Sequence, residues 1–268
     1  MNRAISSKFA ALGVLALVAA TGTAQAEVSS TITIASDYDF RGITQNGLDP
    51  AFQASLDWEG ESGLYAGLWG SNIDFGEDGF GAPEDEDYIA PVDLNVEVDL
   101  YLGYAGSITE DLGYDVGATY YKYLGDDDNG LNDFDYFEAY AGVDWKILST
   151  KLWYAWDYGN SGESAWYLEG NAAIPLPLEF SFDLHAGYNG GDYWDTPEVS
   201  FGEEFIDWSV GLSRSLGRFD LAVKYIDGSD LKDYDCSRSS VECLDDVFSS
   251  ESKVFASVST TFPWTDEE

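Results

Sequence analysis

Hydrophobic and polar residues alternate one by one along most of this chain. The clearest stretch is Val92–Tyr104, where every even position is apolar and Asp93, Asn95, Glu97 and Asp99 fall on the other face. A period of two belongs to a β-strand, whose successive side chains point to opposite sides. The same alternation sets Leu178, Phe180, Phe182 and Leu184 against Glu179, Ser181, Asp183 and His185. It sets Ile206, Trp208, Val210 and Leu212 against Asp207, Ser209 and Ser213. Phe219, Leu221, Val223 and Tyr225 oppose Asp220 and Lys224, and Leu152, Tyr154 and Trp156 oppose Lys151 and Asp157. Weaker runs cover 30–40, 51–58, 64–72, 112–123, 136–145, 164–174 and 253–262. The pattern predicts about twelve strands. Strands in soluble sandwiches usually hold about five or six residues, and runs near ten or more suit tilted strands that cross a bilayer.

The connectors alternate in length. Segments 41–50, 73–91, 124–135, 158–163, 189–204 and 227–252 are long or polar, and those near 59–63, 105–111, 146–150, 175–177 and 215–218 are tight. Outer-membrane barrels carry long external loops on one rim and short periplasmic turns on the other, whereas a sandwich has no reason for such regularity. The expected fold is therefore all-β, a transmembrane antiparallel up-and-down barrel with both termini in the periplasm. Aromatic residues collect near strand ends as interfacial girdles would: Trp58, Tyr114, Trp145, Phe219, Phe262 and Trp264 by short turns, and Tyr38, Phe40, Trp156, Trp166 and Tyr188 by long loops.

The N-terminus fits export. Arg3 and Lys8 precede an apolar run, Phe9–Ala20, and Ala24-Gln25-Ala26 offers small residues for cleavage after Ala26. The expected domains are a cleaved signal peptide over 1–26 and a barrel over 27–268, located in the outer membrane of a Gram-negative cell. Past the signal the sequence holds no apolar run long enough for a transmembrane helix. A closed barrel is then the remaining way to satisfy backbone groups in lipid.

Composition narrows the partners. The chain has 50 Asp+Glu against 12 Lys+Arg, a formal charge of −38, together with nine Trp and 18 Tyr. Disordered acidic chains are poor in aromatics, and nucleic-acid binding needs a positive footprint that is lacking. A salt-rich habitat is an alternative explanation for part of such a charge. Cys236 and Cys243 lie in a polar stretch and are expected to form one local disulfide in an exported chain.

The acidic residues divide into two groups. Asp74, Glu77, Asp78, Glu84–Asp87, Asp126–Asp128, Asp227, Asp230, Asp233, Asp235, Glu242, Asp245 and Asp246 lie in long loops. Asp37, Asp57, Asp93, Glu97, Asp99, Asp115, Glu138, Asp144, Glu169, Glu179, Asp183, Asp207 and Asp220 alternate along strands. Charge on the lipid face is costly, so the second group is expected to line the lumen. Facing them are Lys151, Lys224 and Arg41, too few to pair with all of them. A hydrated, negative lumen would favour cations. The alternative is an occluded barrel whose carboxylates bond to Tyr65, Trp69, Tyr140 and Tyr167.

Motifs for other chemistry are weak. Asp126-Asp127-Asp128-Asn129-Gly130 opens like a calcium loop, but Phe137 takes the position of the bidentate Glu. His185 is the sole histidine, no G-x-S-x-G surrounds a serine, and the glycines suit turns rather than a phosphate loop. Abundant carboxylates give no specific signal for glycoside hydrolysis. No enzyme activity, catalytic residue, metal or cofactor is expected.

The residues Ser36-Asp37-Tyr38-Asp39-Phe40-Arg41-Gly42-Ile43-Thr44-Gln45, then Asp49-Pro50-Ala51-Phe52-Gln53 and Ser62–Asn72, carry a resemblance. The chain resembles the TorF-type porin family of proteobacterial outer-membrane proteins, with Ala54 where that family more often has Gly. The resemblance implies a porin-like barrel and transfers no catalytic or ligand residues. Arg41, where the first strand meets its loop, is either a structural anchor or a lumen charge. The acidic tail after Phe262-Pro263-Trp264 departs from the usual aromatic end of such barrels.

The expected function is a porin-like channel for passive diffusion of small solutes, cations preferred, with outer-membrane lipid and lipopolysaccharide as surroundings. Two alternatives stand beside it. One is a non-conducting barrel with a structural or surface-binding role. The other is a soluble periplasmic β-sandwich that binds sugars through its Trp and Tyr.

Overall fold

The computed structural model describes residues 26–74, 93–126, 134–195, 204–229 and 251–264. The expected signal peptide, the Cys236–Cys243 pair, the Asp127–Gly130 run, the acidic loop residues Glu77 to Asp87 and Asp230 to Asp246, and the tail after Trp264 lie outside these residues.

The alternating segments form the strands β1 (Glu27–Ala35), β4 (Ala51–Glu59), β5 (Leu64–Asn72), β6 (Asp93–Ser107), β7 (Leu112–Asp126) and β8 (Tyr136–Trp145). They continue as β9 (Leu148–Ala155), β10 (Ala165–Pro175), β11 (Phe180–Gly190), β12 (Phe205–Leu216), β13 (Phe219–Gly228) and β14 (Lys253–Phe262). Each pairs antiparallel with its sequence neighbour, and β1 pairs with β14, so the sheet closes without an edge. Two further short strands, β2 (Asp39–Phe40) and β3 (Ile43–Thr44), form a separate hairpin. Among the described residues no helix is long and apolar enough to cross a membrane.

The short turns, such as Lys146–Ile147 and Gly217–Arg218, gather on one rim together with Glu27 and Phe262. Polarity across the wall is the reverse of that in a water-soluble protein. Ile34, Leu56, Leu102, Leu152, Val223 and Val254 face outward and exposed, while Glu97, Glu138, Asp207 and Asn189 are buried inside. An apolar side chain left in water forfeits roughly 1.5–3 kcal/mol of burial, and this outer face runs round a closed wall. Hydrocarbon is the solvent that suits it. The closed wall also excludes the expected alternative of a two-sheet sandwich.

Three local expectations are corrected. The alternation over 30–40 does not continue as one strand, because β1 ends at Ala35, the last residue matched by both β14 and β4. From Ser36 the chain leaves the wall and turns inward, so Tyr38 and Phe40 belong to the interior and not to a girdle. In β6 the register shifts between Leu94 and Val96. This bulge turns Leu94 inward and leaves both Asn95 and Val96 exposed, so the even-odd rule holds only from Val96 onward. Glu179 lies on no strand. It sits exposed in the turn Pro177–Glu179 at a positive φ, on the short-turn rim rather than in the lumen.

Candidate functional site: the lumen

The segment between β1 and β4 supplies the central feature. Asp39-Phe40 and Ile43-Thr44 pair as a tight hairpin, with Arg41 (φ 54°) and Gly42 (φ 85°) at its tip. Two consecutive positive φ values are the geometry of a two-residue hairpin whose twist matches its strands. Glycine adopts it freely, and an arginine does so only when its surroundings hold it there.

Four walls of the barrel provide that hold. Arg41 donates from Nη1 and Nη2 to the two carboxylate oxygens of Glu138 on β8, at 2.9 and 2.5 Å. Its guanidinium also lies over the rings of Phe40 and Tyr167, each 4.6 Å from the centroid. Tyr38 donates to Glu97 on β6 at 3.0 Å and packs edge-on against Trp69 of β5. Lys253 on β14 reaches Asp37 at 2.5 Å and Asp39 at 2.8 Å. Gly42 presses on β12, where a Cβ at its position would stand 2.7 Å from Cβ of Asp207. Within the segment, the Thr44 hydroxyl donates to Asp37 at 2.5 Å, and Asn46 accepts from the Tyr38 amide at 3.0 Å. A polypeptide tied to β6, β8, β12 and β14 crosses the bore.

Above this crossing, toward the long loops, aromatic rings fill the mouth. Tyr121 stacks on Tyr136, Tyr136 meets Tyr158, and Tyr158 meets Tyr193. Tyr193 is followed by Trp194 and Phe205. Tyr193 and Trp194 come from α1 (Asp192–Asp195), a single turn folded in from the β11–β12 connection. Burial pushes the Tyr158 phenol up to about 12 and raises the Asp39 carboxyl against the opposing pull of Lys253. For Arg41, burial works against the charge, and the Glu138 carboxylate more than restores it.

Below the crossing, the lumen wall is polar and less deeply buried. Tyr65, Gly103, Gly117 and Tyr140 occupy one row across four strands. Side chains at the two glycines would collide with the tyrosine rings, so the rings lie flat on bare backbone and their hydroxyls meet between them. Tyr65 continues the chain to Asp115, which Lys151 pairs at 2.7 Å. Lys224 likewise lies across Gly211 in the row that leads to Asp183. On the far side, His185 contacts Asp207 through Nε2 at 2.8 Å and Asn171 through Nδ1 at 2.7 Å, with Tyr167 also on Asp207. Glu169 accepts from Trp153 Nε1 at 2.9 Å. Ser181 and Ser215 donate to Asp183 and Asp220, and Tyr101 and Ser55 donate to Asp57.

Most residues singled out by alternation therefore do point inward. Asp57, Glu97, Asp99, Asp115, Glu138, Asp144, Glu169, Asp183, Asp207 and Asp220 share the inner face with Lys151 and Lys224. Asp37 and Arg41 are also inside, although on the crossing segment rather than on a strand. Asp93 opens β6, and its side chain lies outside the described residues. Asp39, Thr44, Asn46 and Lys253 escaped sequence reasoning. Lys253 carried the one available signal, as a base placed at the start of a strand whose inner neighbours Phe255 and Ser257 are uncharged.

Solved structures share this architecture. The KdgM porin in complex with disordered oligogalacturonate matches at 9% identity and a TM-score of 0.50, over 89% of this chain and 99% of that one. The NanC porin matches at 11% identity and a TM-score of 0.48, over 89% of this chain and 100% of that one. At such identity the likeness is one of fold alone, the closed antiparallel barrel shared with the KdgM porin. No curated protein matches the sequence. A family model does match, over residues 19–262, and the chain belongs to that family, described as a bacterial protein of unknown function (Gcw_chp).

Proposed function

We propose that this protein is an outer-membrane channel for small solutes, cation-preferring, with the segment 36–50 as its constriction. The observation that carries the reading is the charge of the wall beneath the crossing. Lys151 neutralises Asp115 and Lys224 lies toward Asp183, while Asp57, Glu169 and Asp220 are held by neutral donors. Carboxylates held this way have no lysine or arginine beside them among the described residues to cancel their field, and a narrow low-dielectric tube focuses it. The oligogalacturonate held by one similar porin is a polyanion, the class of solute this wall repels. The sequence likeness to TorF-type porins over 28–75 supports the same reading, as does the expected signal peptide for export. The long-loop acids, where they meet lipopolysaccharide phosphates, would need divalent cations as bridges.

Reconstitution in planar bilayers tests the proposal. Discrete conductance steps with a reversal potential of the cation-selective sign are expected under a salt gradient. Anion selectivity would overturn the charge argument. A second reading, a barrel that does not conduct, is favoured by the complete burial of Glu138 and Thr44 at the crossing. It predicts heat-modifiable gel mobility without steps, in the native chain and in variants that free the hairpin.

A further inference from the structure

Basic residues on the outside of the barrel are few, and their surroundings differ. Near the long loops, Lys122 is paired with Asp135 at 2.5 Å. On the short-turn rim, Lys146 lies over the Trp145 ring and is 3.5 Å from Asp111. Arg214 has no carboxylate partner among the described residues. Its strand alternates inward Ser213 and Ser215 with outward Leu212 and Leu216, which puts Arg214 on the lipid face between Phe180 and Leu221. The guanidinium lies 5.0 Å from the centre of the Phe180 ring, and its Nε is buried without a hydrogen-bond partner among the described residues. Arg218, in the turn that follows, lies 4.8 Å over the Trp264 ring.

An outward arginine is costly at the bilayer midplane and close to free at the interface. Arg214 sits one outward position from the end of β12, so its long side chain reaches headgroup depth. With Nε buried, the two Nη groups are the side of the guanidinium left to an anion, and a phosphate can take two parallel bonds from them. We propose that Arg214 binds the phosphate of an anionic phospholipid in the leaflet next to the short turns. The site depends on the barrel lying in a membrane and not on whether its lumen conducts.

Native mass spectrometry of the full chain in detergent tests it, with phosphatidylglycerol and phosphatidylcholine titrated separately and inorganic phosphate added as competitor. Preferential retention of phosphatidylglycerol is expected, and Arg214→Leu should weaken it about tenfold, the loss of one charge-assisted contact. Lys146→Gln should leave retention unchanged. The leucine suits the lipid face, and heat-modifiable mobility checks that the variant folds. Should it not fold, Arg214→Lys keeps the charge without the fork and should still bind more weakly than wild type. Equal retention in wild type and the Arg214 variant, or equal retention of the two lipids, overturns the proposal. Displacement of the lipid by inorganic phosphate alone overturns the lipid assignment in favour of a free-anion site.

Discussion

In the half of the lumen nearer the long loops, each base closes a set, Arg41 with Glu138 and Lys253 with Asp37 and Asp39, while Glu97 takes the Tyr38 hydroxyl. In the half nearer the short turns, carboxylates are mostly met by hydroxyl, indole and amide donors. The sequence writes both halves with the same residue types at the same alternating spacing. What separates them is the hairpin, which brings its own base and aromatic rings to one half only. Ion pairs of opposite sign, bidentate and dry, hold a segment in place. Carboxylates on neutral donors are fixed in position yet remain available to a passing ion. One half is built to hold a segment of chain, and the other to set an electrostatic potential.

The largest expected effect comes from breaking the dry half. Arg41→Ala leaves Glu138 buried without its cation, a change that typically costs roughly 3–5 kcal/mol, and it releases the hairpin tip. Single-channel conductance should rise and the unfolding midpoint in denaturant should fall. The pair Arg41→Met with Glu138→Leu should recover much of the stability while conductance stays high. If Arg41→Ala conducts like the wild type, the crossing is not the constriction.

Gly42→Ala attacks the same contact through sterics. Its methyl would meet Asp207 at 2.7 Å from a φ of 85°, a strain of about 1–3 kcal/mol. A smaller conductance rise than in Arg41→Ala is expected, and unchanged traces would show that the tip need not touch β12. Gly117→Ala acts in the wet half by lifting the Tyr140 ring off its backbone seat. It should destabilise by about 1–3 kcal/mol, seen as a lower midpoint with the sign of selectivity preserved. The smallest effect concerns charge alone. Asp57→Asn with Glu169→Gln should move the reversal potential toward zero without altering stability in denaturant. No shift would mean that the wet half does not set selectivity.

The wall of the barrel was legible because its physics is local: a period of two, long runs, and loops of alternating length. Inward placement of Asp115, Glu138 and Asp207 followed from the same parity. The crossing segment was not legible, since Asp37, Tyr38 and Asp39 extend the alternation of β1 without a break in pattern. Their departure from the wall is set by distant partners, Lys253 and Glu97. Nor does Arg41-Gly42 resemble the Asn-Gly or Asp-Gly pairs that announce a tight hairpin. The bulge at Leu94–Val96 was hidden for a related reason, because both residues are apolar and either face accepts them in a pattern.

The tie between Lys253 and the pair Asp37 and Asp39 joins the first loop of the barrel to the beginning of its last strand. The hairpin therefore has no seat on that side until the final strand arrives. Assembly and narrowing of the bore become a single event, and a chain lacking its C-terminal strand should leave its hairpin open to protease. Limited proteolysis of such a truncation, with cleavage expected within 37–47, would show whether the last strand seats the hairpin.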